Sequence, residues 1–217
     1  MYSYKHWAAV ALLGTLPVAA TAKPIAFAKG TTVMAEYGAG TMNEAQLFYA
    51  PRYWYSLGGG WLELESEEGT KQRRITYVRG NLLAKRWNLP GAQANIFVWG
   101  GLGQATGNDF SGSTSSRNAG FQADYETRRV YSSLRSDLHE SDEFSHRIDT
   151  IQVGWAPYAH DYDDLATWVV VQGRDYTGGL YRGTEVALLV RLFKGRTWVE
   201  FGATADGNLQ AMAMVNF

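Results

Sequence analysis

The chain has 217 residues, with 20 Lys and Arg against 21 Asp and Glu, which gives a formal net charge of −1. That length suits one domain, and the balanced charge argues against nucleic-acid binding, which needs a basic face. The absence of Cys excludes a disulfide scaffold, while 14% aromatic residues exclude a disordered chain. Together with 24 glycines, this composition favours a β-sheet with many turns.

Residues 1–22 have the pattern of a secretory signal peptide. Lys5 supplies the positive start, an apolar stretch runs from Ala8 to Ala20, and Ala20-Thr21-Ala22 is a small-residue cleavage pattern. The apolar stretch is too short to span a bilayer as a helix, which needs roughly 20 residues; the alternative is a buried N-terminal helix. We therefore predict an exported chain with one domain over 23–217, placed in the periplasm, the medium or the outer membrane.

Alternation of apolar and polar residues predicts β-strands along the rest of the chain. The predicted strands are 31–39, 44–66, 72–87, 92–105, 120–131, 144–155, 165–174, 185–192, 198–203 and 209–217. The segment 44–66 contains Pro51 and a run of three glycines, so it is either one bent strand or two strands. Counting it once gives ten strands, with eight and twelve as alternatives.

Polar segments separate some of these strands and predict loops. Residues 106–118 are rich in Gly and Ser, 132–143 are polar and acidic, and 174–184 are rich in Gly and Tyr. Counting strands back from the last one places 132–143 and 174–184 on one side of the sheet, facing the outside, and 106–118 on the other side.

The last strand carries the most specific signal. Leu209, Val215 and Phe217 lie on one face of this strand, and polar residues such as Gln210 and Asn216 lie on the other. A period-2 strand that ends the chain in Phe resembles the C-terminal strand of bacterial outer-membrane β-barrel proteins.

The resemblance implies an all-β fold, a closed antiparallel up-and-down transmembrane β-barrel of about ten strands. It also implies a place in the outer membrane of a Gram-negative bacterium, surrounded by outer-membrane lipid. Leu209, Val215 and Phe217 would then form the signal that the barrel-assembly machinery reads during biogenesis. Closure is what lipid demands, since no water satisfies an open sheet edge there.

Aromatic residues near strand ends predict interfacial girdles. They are Tyr53, Trp54, Tyr55, Trp87, Trp155, Phe193 and Trp198. In a girdle the rings sit in lipid while their polar groups reach the headgroups. The alternative is that Trp and Tyr are common in any β-strand.

Three ionisable residues at period 2, Asp124, Glu126 and Arg128, are the sharpest charged pattern. A charge facing lipid near the midplane costs about 2–4 kcal/mol, so we expect these side chains to face the lumen. Their expected partners there are Arg191, Glu200, Glu185 and Arg74. Such a set is either a selectivity lining or a salt-bridge network that fills a narrow barrel. The leading hypothesis is a binding or transport-related barrel with a charged lumen that is not an open diffusion porin.

Two other function classes stay open. An envelope-remodelling hydrolase, acting on lipid or peptide, needs Ser132 or Ser133 beside His146 at the outer rim, and the acidic segment 139–143 has the composition of a protease site. The other class is a structural or surface-interaction barrel with a filled lumen. The segment 160–164 has the ligand types for a divalent cation but also the composition of an ordinary turn. The sequence predicts no cofactor, and any small-molecule ligand stays unnamed.

Overall fold

A computed structural model describes residues 29–161 and 164–217, which form a closed antiparallel β-barrel of twelve strands. Each strand pairs with its neighbours in sequence, and the last strand pairs with the first to close the barrel. Within the described residues, no helix is long and apolar enough to cross a membrane. The predicted signal peptide lies outside the described residues.

The strand bounds show long strands on one side of the barrel. They are β1 Gly30–Gly38, β2 Met42–Arg52, β3 Tyr55–Glu65, β4 Gln72–Leu89, β5 Ala92–Gly107, β6 Ser113–Thr127, β7 Val130–Ser141, β8 Ser145–Trp155, β9 Ala166–Thr177, β10 Gly183–Lys194, β11 Thr197–Thr204 and β12 Leu209–Asn216.

Two differences separate twelve strands from the ten predicted. The segment 44–66 is two strands, because the chain turns at Tyr53-Trp54 rather than bending through its glycines. The segment 132–143 is a strand and not a loop, and it belongs to β7. Its alternation is weak in the sequence because two of its outward positions are the serines Ser132 and Ser136 rather than large apolar side chains.

Because the number of strands is even, the start of the first strand and the end of the last strand lie on the same rim. This terminal rim holds the start of β1, the end of β12, the turns at 53–54, 90–91, 128–129 and 195–196, and the described residues 156–161 and 164–165 of the connection between β8 and β9. The loop rim holds the connections at 39–41, 66–71, 108–112, 142–144, 178–182 and 205–208. The loop within 106–118 therefore lies on the same rim as the loops after β7 and β9, and its predicted place on the opposite rim was wrong.

Residues alternate between the two faces of the barrel wall. On β10 the side chains of Val186 and Leu188 are more than half exposed, while Glu185 and Ala187 are buried inside. The same alternation holds around the barrel. Apolar side chains cover the outside, and most charged side chains in the middle part of the strands lie inside. This is the reverse of a water-soluble protein.

Closure joins β12 to β1 by hydrogen bonds along their whole length. Val215 faces Val33 across the seam, and the Phe217 backbone N–H donates to the Thr31 carbonyl at 2.8 Å. Inside the barrel, the Thr32 hydroxyl donates to the Asn216 side-chain oxygen at 2.5 Å.

Several inward glycines make room for large side chains of the neighbouring strand. A Cβ on Gly60 would lie 2.5 Å from the Tyr77 hydroxyl oxygen, and one on Gly120 would lie 2.5 Å from the Trp99 ring. The glycine and aromatic content of the sequence is thus partly one feature, because these rings occupy the space that a side chain at the glycine would fill.

Four of the aromatic residues predicted as a girdle are exposed on the terminal rim: Tyr53 and Trp54 in the turn between β2 and β3, Trp87 on β4 and Trp155 on β8. Trp198 and Phe193 are exceptions, because both side chains point inward. Trp198 is buried against Met34 and Met214, and Phe193 packs against the same cluster.

Candidate functional site: the charged lumen

The lumen contains most of the charged residues that the sequence singled out. Asp124, Glu185, Arg191 and Glu200 point inward and are buried, and Glu126 points inward and is half-buried. They come from three strands, β6, β10 and β11, because each strand sends every second side chain inward.

Two predicted lumen residues lie elsewhere. Arg128 is in the exposed turn between β6 and β7, where it pairs with Asp161 at 3.3 Å. Arg74 faces outward and pairs with Glu63 at 3.2 Å, while its neighbour Arg73 points inward. The prediction chose the wrong member of the Arg73-Arg74 pair, which is a shift of one residue in strand register.

Arg191 and Glu200 form a buried ion pair on adjacent strands. The Arg191 Nε donates to Glu200 Oε2 at 2.6 Å, and its terminal nitrogen donates to Gln152 Oε1 at 2.8 Å. The guanidinium carbon lies 4.4 Å from the ring centre of Tyr131 and 4.3 Å from that of Trp198. Two aromatic rings and two hydrogen-bond acceptors therefore hold this cation.

A row of side-chain amides crosses the lumen beside this pair. Gln152 donates to Gln172 at 2.7 Å, Gln172 donates to Gln210 at 2.7 Å, and Gln210 donates to Glu185 at 3.2 Å. Gln172 on β9 and Gln210 on β12 are not on neighbouring strands. Long polar side chains thus reach over the interior rather than lining its wall.

Asp137 on β7 is the acceptor for groups from three strands. Arg135 Nε donates to its Oδ2 at 2.5 Å, Trp99 Nε1 donates to its Oδ1 at 2.8 Å, and Arg79 pairs with it at 3.7 Å. Arg79 also donates to Gln46 at 3.1 Å. This carboxylate balances two buried guanidinium groups.

A second ion pair across the lumen joins Arg174 on β9 to Glu36 on β1. Arg174 also donates to the Tyr176 hydroxyl at 3.3 Å, and that hydroxyl lies 3.3 Å from Glu185. Three strands lie between β1 and β9, so the contact of Glu36 with Arg174 crosses the lumen instead of following the wall.

Asp124 belongs to a separate group nearer the terminal rim. It accepts hydrogen bonds from Asn95 at 2.7 Å and from Gln122 at 3.0 Å. Arg86 donates to the same Asn95 at 2.6 Å, which connects a cation to this carboxylate through one amide.

We call these inward groups the lumen network. Its members are Glu36, Gln46, Arg79, Arg86, Asn95, Trp99, Gln122, Asp124, Arg135, Asp137, Gln152, Gln172, Arg174, Tyr176, Glu185, Arg191, Glu200 and Gln210.

Two small cavities lie between these side chains. One of about 20 Å³ is lined by Glu36, Asp137, His139 and Arg174 among others. The other, of about 70 Å³, lies between Arg135, Arg174 and Arg191. A water needs about 10–15 Å³ of such volume, so these spaces suit a few waters and are too small for a sugar or an amino acid.

At the loop rim the lumen is closed by apolar groups, which we call the apolar cap. Its members are Leu62, Leu64, Ile75, Phe144 and Ile148, with Phe110, Leu180 and Tyr181 packed against them from the rim. Phe110 stacks on Phe144 with ring centres 6.2 Å apart, and the Arg73 guanidinium lies 3.9 Å above the Phe144 ring. Arg73 also pairs with Asp109, which fixes the loop that carries Phe110.

Sequence reasoning missed Arg79, Arg135, Asp137 and Arg174, the cations and carboxylate at the centre. Arg135 and Asp137 were assigned to a loop. The signal that could have marked β7 as a strand is its two faces. Leu134 and Leu138 lie on the outward face, and Arg135, Asp137 and His139 lie on the inward face.

The predicted pairing of Ser132 or Ser133 with His146 does not occur. Ser133 faces Gln152 and His146 faces His139, six residues along β7, which is roughly 20 Å at the rise of a β-strand. Of the segment 160–164, Asp161 pairs with Arg128, and the Asp164 carboxylate accepts from the Asp161 backbone N–H at 3.0 Å.

No protein-family model matches the sequence, and no curated protein matches it. Two solved structures are similar in fold. One is the KdgM porin in complex with disordered oligogalacturonate, and the other is the KdgM porin. Each is 10% identical and covers 87% of this chain and 99% of its own, with TM-scores of 0.49 and 0.47. The twelve-stranded fold of this chain rests on its own strand pairing.

Proposed function

We propose that the protein is an outer-membrane barrel that passes small polar solutes through a lumen gated by paired charges, and not an open diffusion porin. The carrying observation is the ion pair of Glu36 and Arg174 across the lumen. The terminal rim would face the periplasm, export would depend on residues 1–22, and Leu209, Val215 and Phe217 would serve barrel assembly.

The outer surface supports the membrane location. Exposed large apolar side chains such as Leu57, Val78, Leu102 and Leu188 occur on strand after strand. Contiguous exposed apolar area of this kind marks an interaction site, and a belt around a closed sheet fits lipid. Outward charges such as Arg74 and Arg147 lie toward the loop rim, beyond that belt.

The strand number and the lumen contents support a gated path. Eight strands leave room only for side chains, while sixteen or more leave an aqueous channel. Twelve strands lie between these limits, and here the interior is closed by long side chains that meet from strands that are not neighbours. Buried ion pairs add little net stability compared with apolar residues of similar volume, so a purely structural filling has no need of them. When these pairs separate, they leave a polar lining.

Single-channel recording in planar bilayers tests this proposal. We expect the native barrel to be mostly closed with small, brief openings, and Glu36→Ser/Arg174→Ser to conduct more because both halves of one cross-lumen pair are removed together. Glu63→Ser/Arg74→Ser removes an ion pair on the outer face and is the matched control, with native conductance expected. A large steady current through the native barrel would overturn the proposal.

A second candidate is a structural or surface-interaction barrel whose lumen never opens. The two small cavities and the apolar cap favour it. Silence of both the native barrel and Glu36→Ser/Arg174→Ser, with normal insertion, would select this candidate over transport.

A further inference from the structure

The balance of exposed charges differs between the two rims. Among the described residues, the terminal rim carries exposed basic side chains and two exposed acidic ones, Asp161 and Asp164. The basic residues are Lys29, Arg52, Lys85, Arg128, Arg129, Lys194 and Arg196. The described part of the opposite rim, with its strand ends, carries the exposed acids Glu67, Glu68, Asp142, Glu143 and Asp206, balanced by the exposed bases Lys71, Arg74, Arg117, Arg147 and Arg182.

Two terminal-rim cations lie close to exposed aromatic rings. The Arg129 guanidinium lies 5.3 Å from the ring centre of Trp155, and the Lys85 ammonium lies 5.8 Å from that of Trp87. Arg52 directly precedes the exposed Tyr53-Trp54 turn. The pairing of a ring with a cation thus recurs on different strands around this rim.

That pairing suits the headgroup region of a bilayer. Trp and Tyr rings settle at the level of the headgroups, and long basic side chains extend from the apolar surface toward the phosphates. Lys194 continues the outward row of Val190 and Leu192, so its ammonium lies at the edge of the apolar belt. Each basic residue near an anionic membrane surface adds to the electrostatic attraction.

We propose that the terminal rim is a binding surface for anionic phospholipid headgroups, with the exposed cations contacting lipid phosphates above the aromatic rings. This inference rests on the proposed membrane location. The loop rim does not share the surface, because its exposed acids and bases balance each other. The barrel would therefore gather anionic lipid on one side of the membrane.

The test is to count lipids that stay on the barrel. The full protein is placed in nanodiscs of phosphatidylcholine with a minor fraction of phosphatidylglycerol, and the retained lipids are identified by native mass spectrometry. We expect the native barrel to retain phosphatidylglycerol above its bulk fraction, and Lys194→Gln/Arg196→Gln to lower that enrichment about two- to fivefold. High salt reduces the native enrichment as well, because it screens exposed charges.

Lys71→Gln/Arg182→Gln is the matched control, since it removes one Lys and one Arg from exposed loop-rim positions. Native enrichment in this control, with loss in Lys194→Gln/Arg196→Gln, supports the inference. Equal loss in both variants, or no enrichment in the native barrel, overturns it and leaves the gated-lumen proposal standing. Failure of the native barrel to insert into either lipid overturns both.

Discussion

The middle of the lumen is filled by arginine, carboxylate and amide groups, whereas its loop-rim end is filled by leucine, isoleucine and aromatic rings. Asp137 in the middle works through specific partners, with two cations and an indole N–H on one carboxylate. Phe144 in the apolar cap contributes through its buried apolar contact area, which other apolar side chains of similar volume could also provide. Closure by charge therefore depends on which partners are present, and closure by apolar packing depends on volume.

The largest expected effect is at Asp137. Asp137→Ala removes the carboxylate that pairs with both Arg79 and Arg135, and breaking a buried pair in this way costs about 3–5 kcal/mol of unfolding free energy. Urea unfolding in lipid vesicles, followed by Trp fluorescence, measures it. Asp137→Asn keeps an acceptor for the Trp99 N–H and should recover part of the loss. A loss below about 1 kcal/mol for Asp137→Ala would show that the middle is not held by charge pairing.

The apolar cap should respond to volume instead. Phe144→Ala removes a buried ring that stacks on Phe110 and should cost about 3 kcal/mol. Phe144→Leu keeps most of the apolar volume and should cost under about 1.5 kcal/mol. The same unfolding measurement applies. Equal losses for the two variants would contradict a cap held by packing.

Gly120, which lies beside the Trp99 ring, is the next position to test, because the indole N–H of that ring donates a hydrogen bond to Asp137. Gly120→Ala places a methyl group against the Ser136 carbonyl oxygen and 2.5 Å from the Trp99 ring, and should cost about 1–3 kcal/mol through overpacking. Gly100→Ala is the control, since its new methyl group would lie 3.8 Å from its nearest neighbour, the Asn118 carbonyl oxygen. If both variants unfold like the native barrel, the ring is not seated on this glycine.

The smallest effect is expected at Arg74. Its ion pair with Glu63 is on the outer face, and exposed pairs contribute about 0–1 kcal/mol. Arg74→Ala should therefore change the unfolding free energy by less than about 1 kcal/mol, while Arg191→Ala should cost several-fold more. A large loss of unfolding free energy in Arg74→Ala would contradict the outward position of this side chain.

Much of the wall could be predicted from sequence, and much of the lumen network could not. The alternation of Val186, Leu188 and Val190 with Glu185 and Arg191 predicts the two faces of β10, because lipid and lumen demand different side chains. The barrel itself was predicted, with twelve strands as an alternative to ten.

The contacts across the lumen were beyond the sequence, because they join strands that are distant in the chain. Glu36 and Arg174 meet only once twelve strands fix the curvature of the wall. Asp137 was lost with β7, whose serine-rich outer face resembles a loop. Arg73 and Arg74 are adjacent and chemically alike, so that only strand register decides which one enters the lumen.

Access of water-soluble reagents to Thr150 tests the gated lumen most directly. Thr150 lines both small cavities, and the chain has no native Cys to interfere. In Thr150→Cys a charged thiol reagent should react far more slowly than with exposed Thr70→Cys, and adding Glu36→Ser/Arg174→Ser should restore fast reaction. Fast labelling of Thr150→Cys with the ion pair intact would contradict a lumen closed by paired charges.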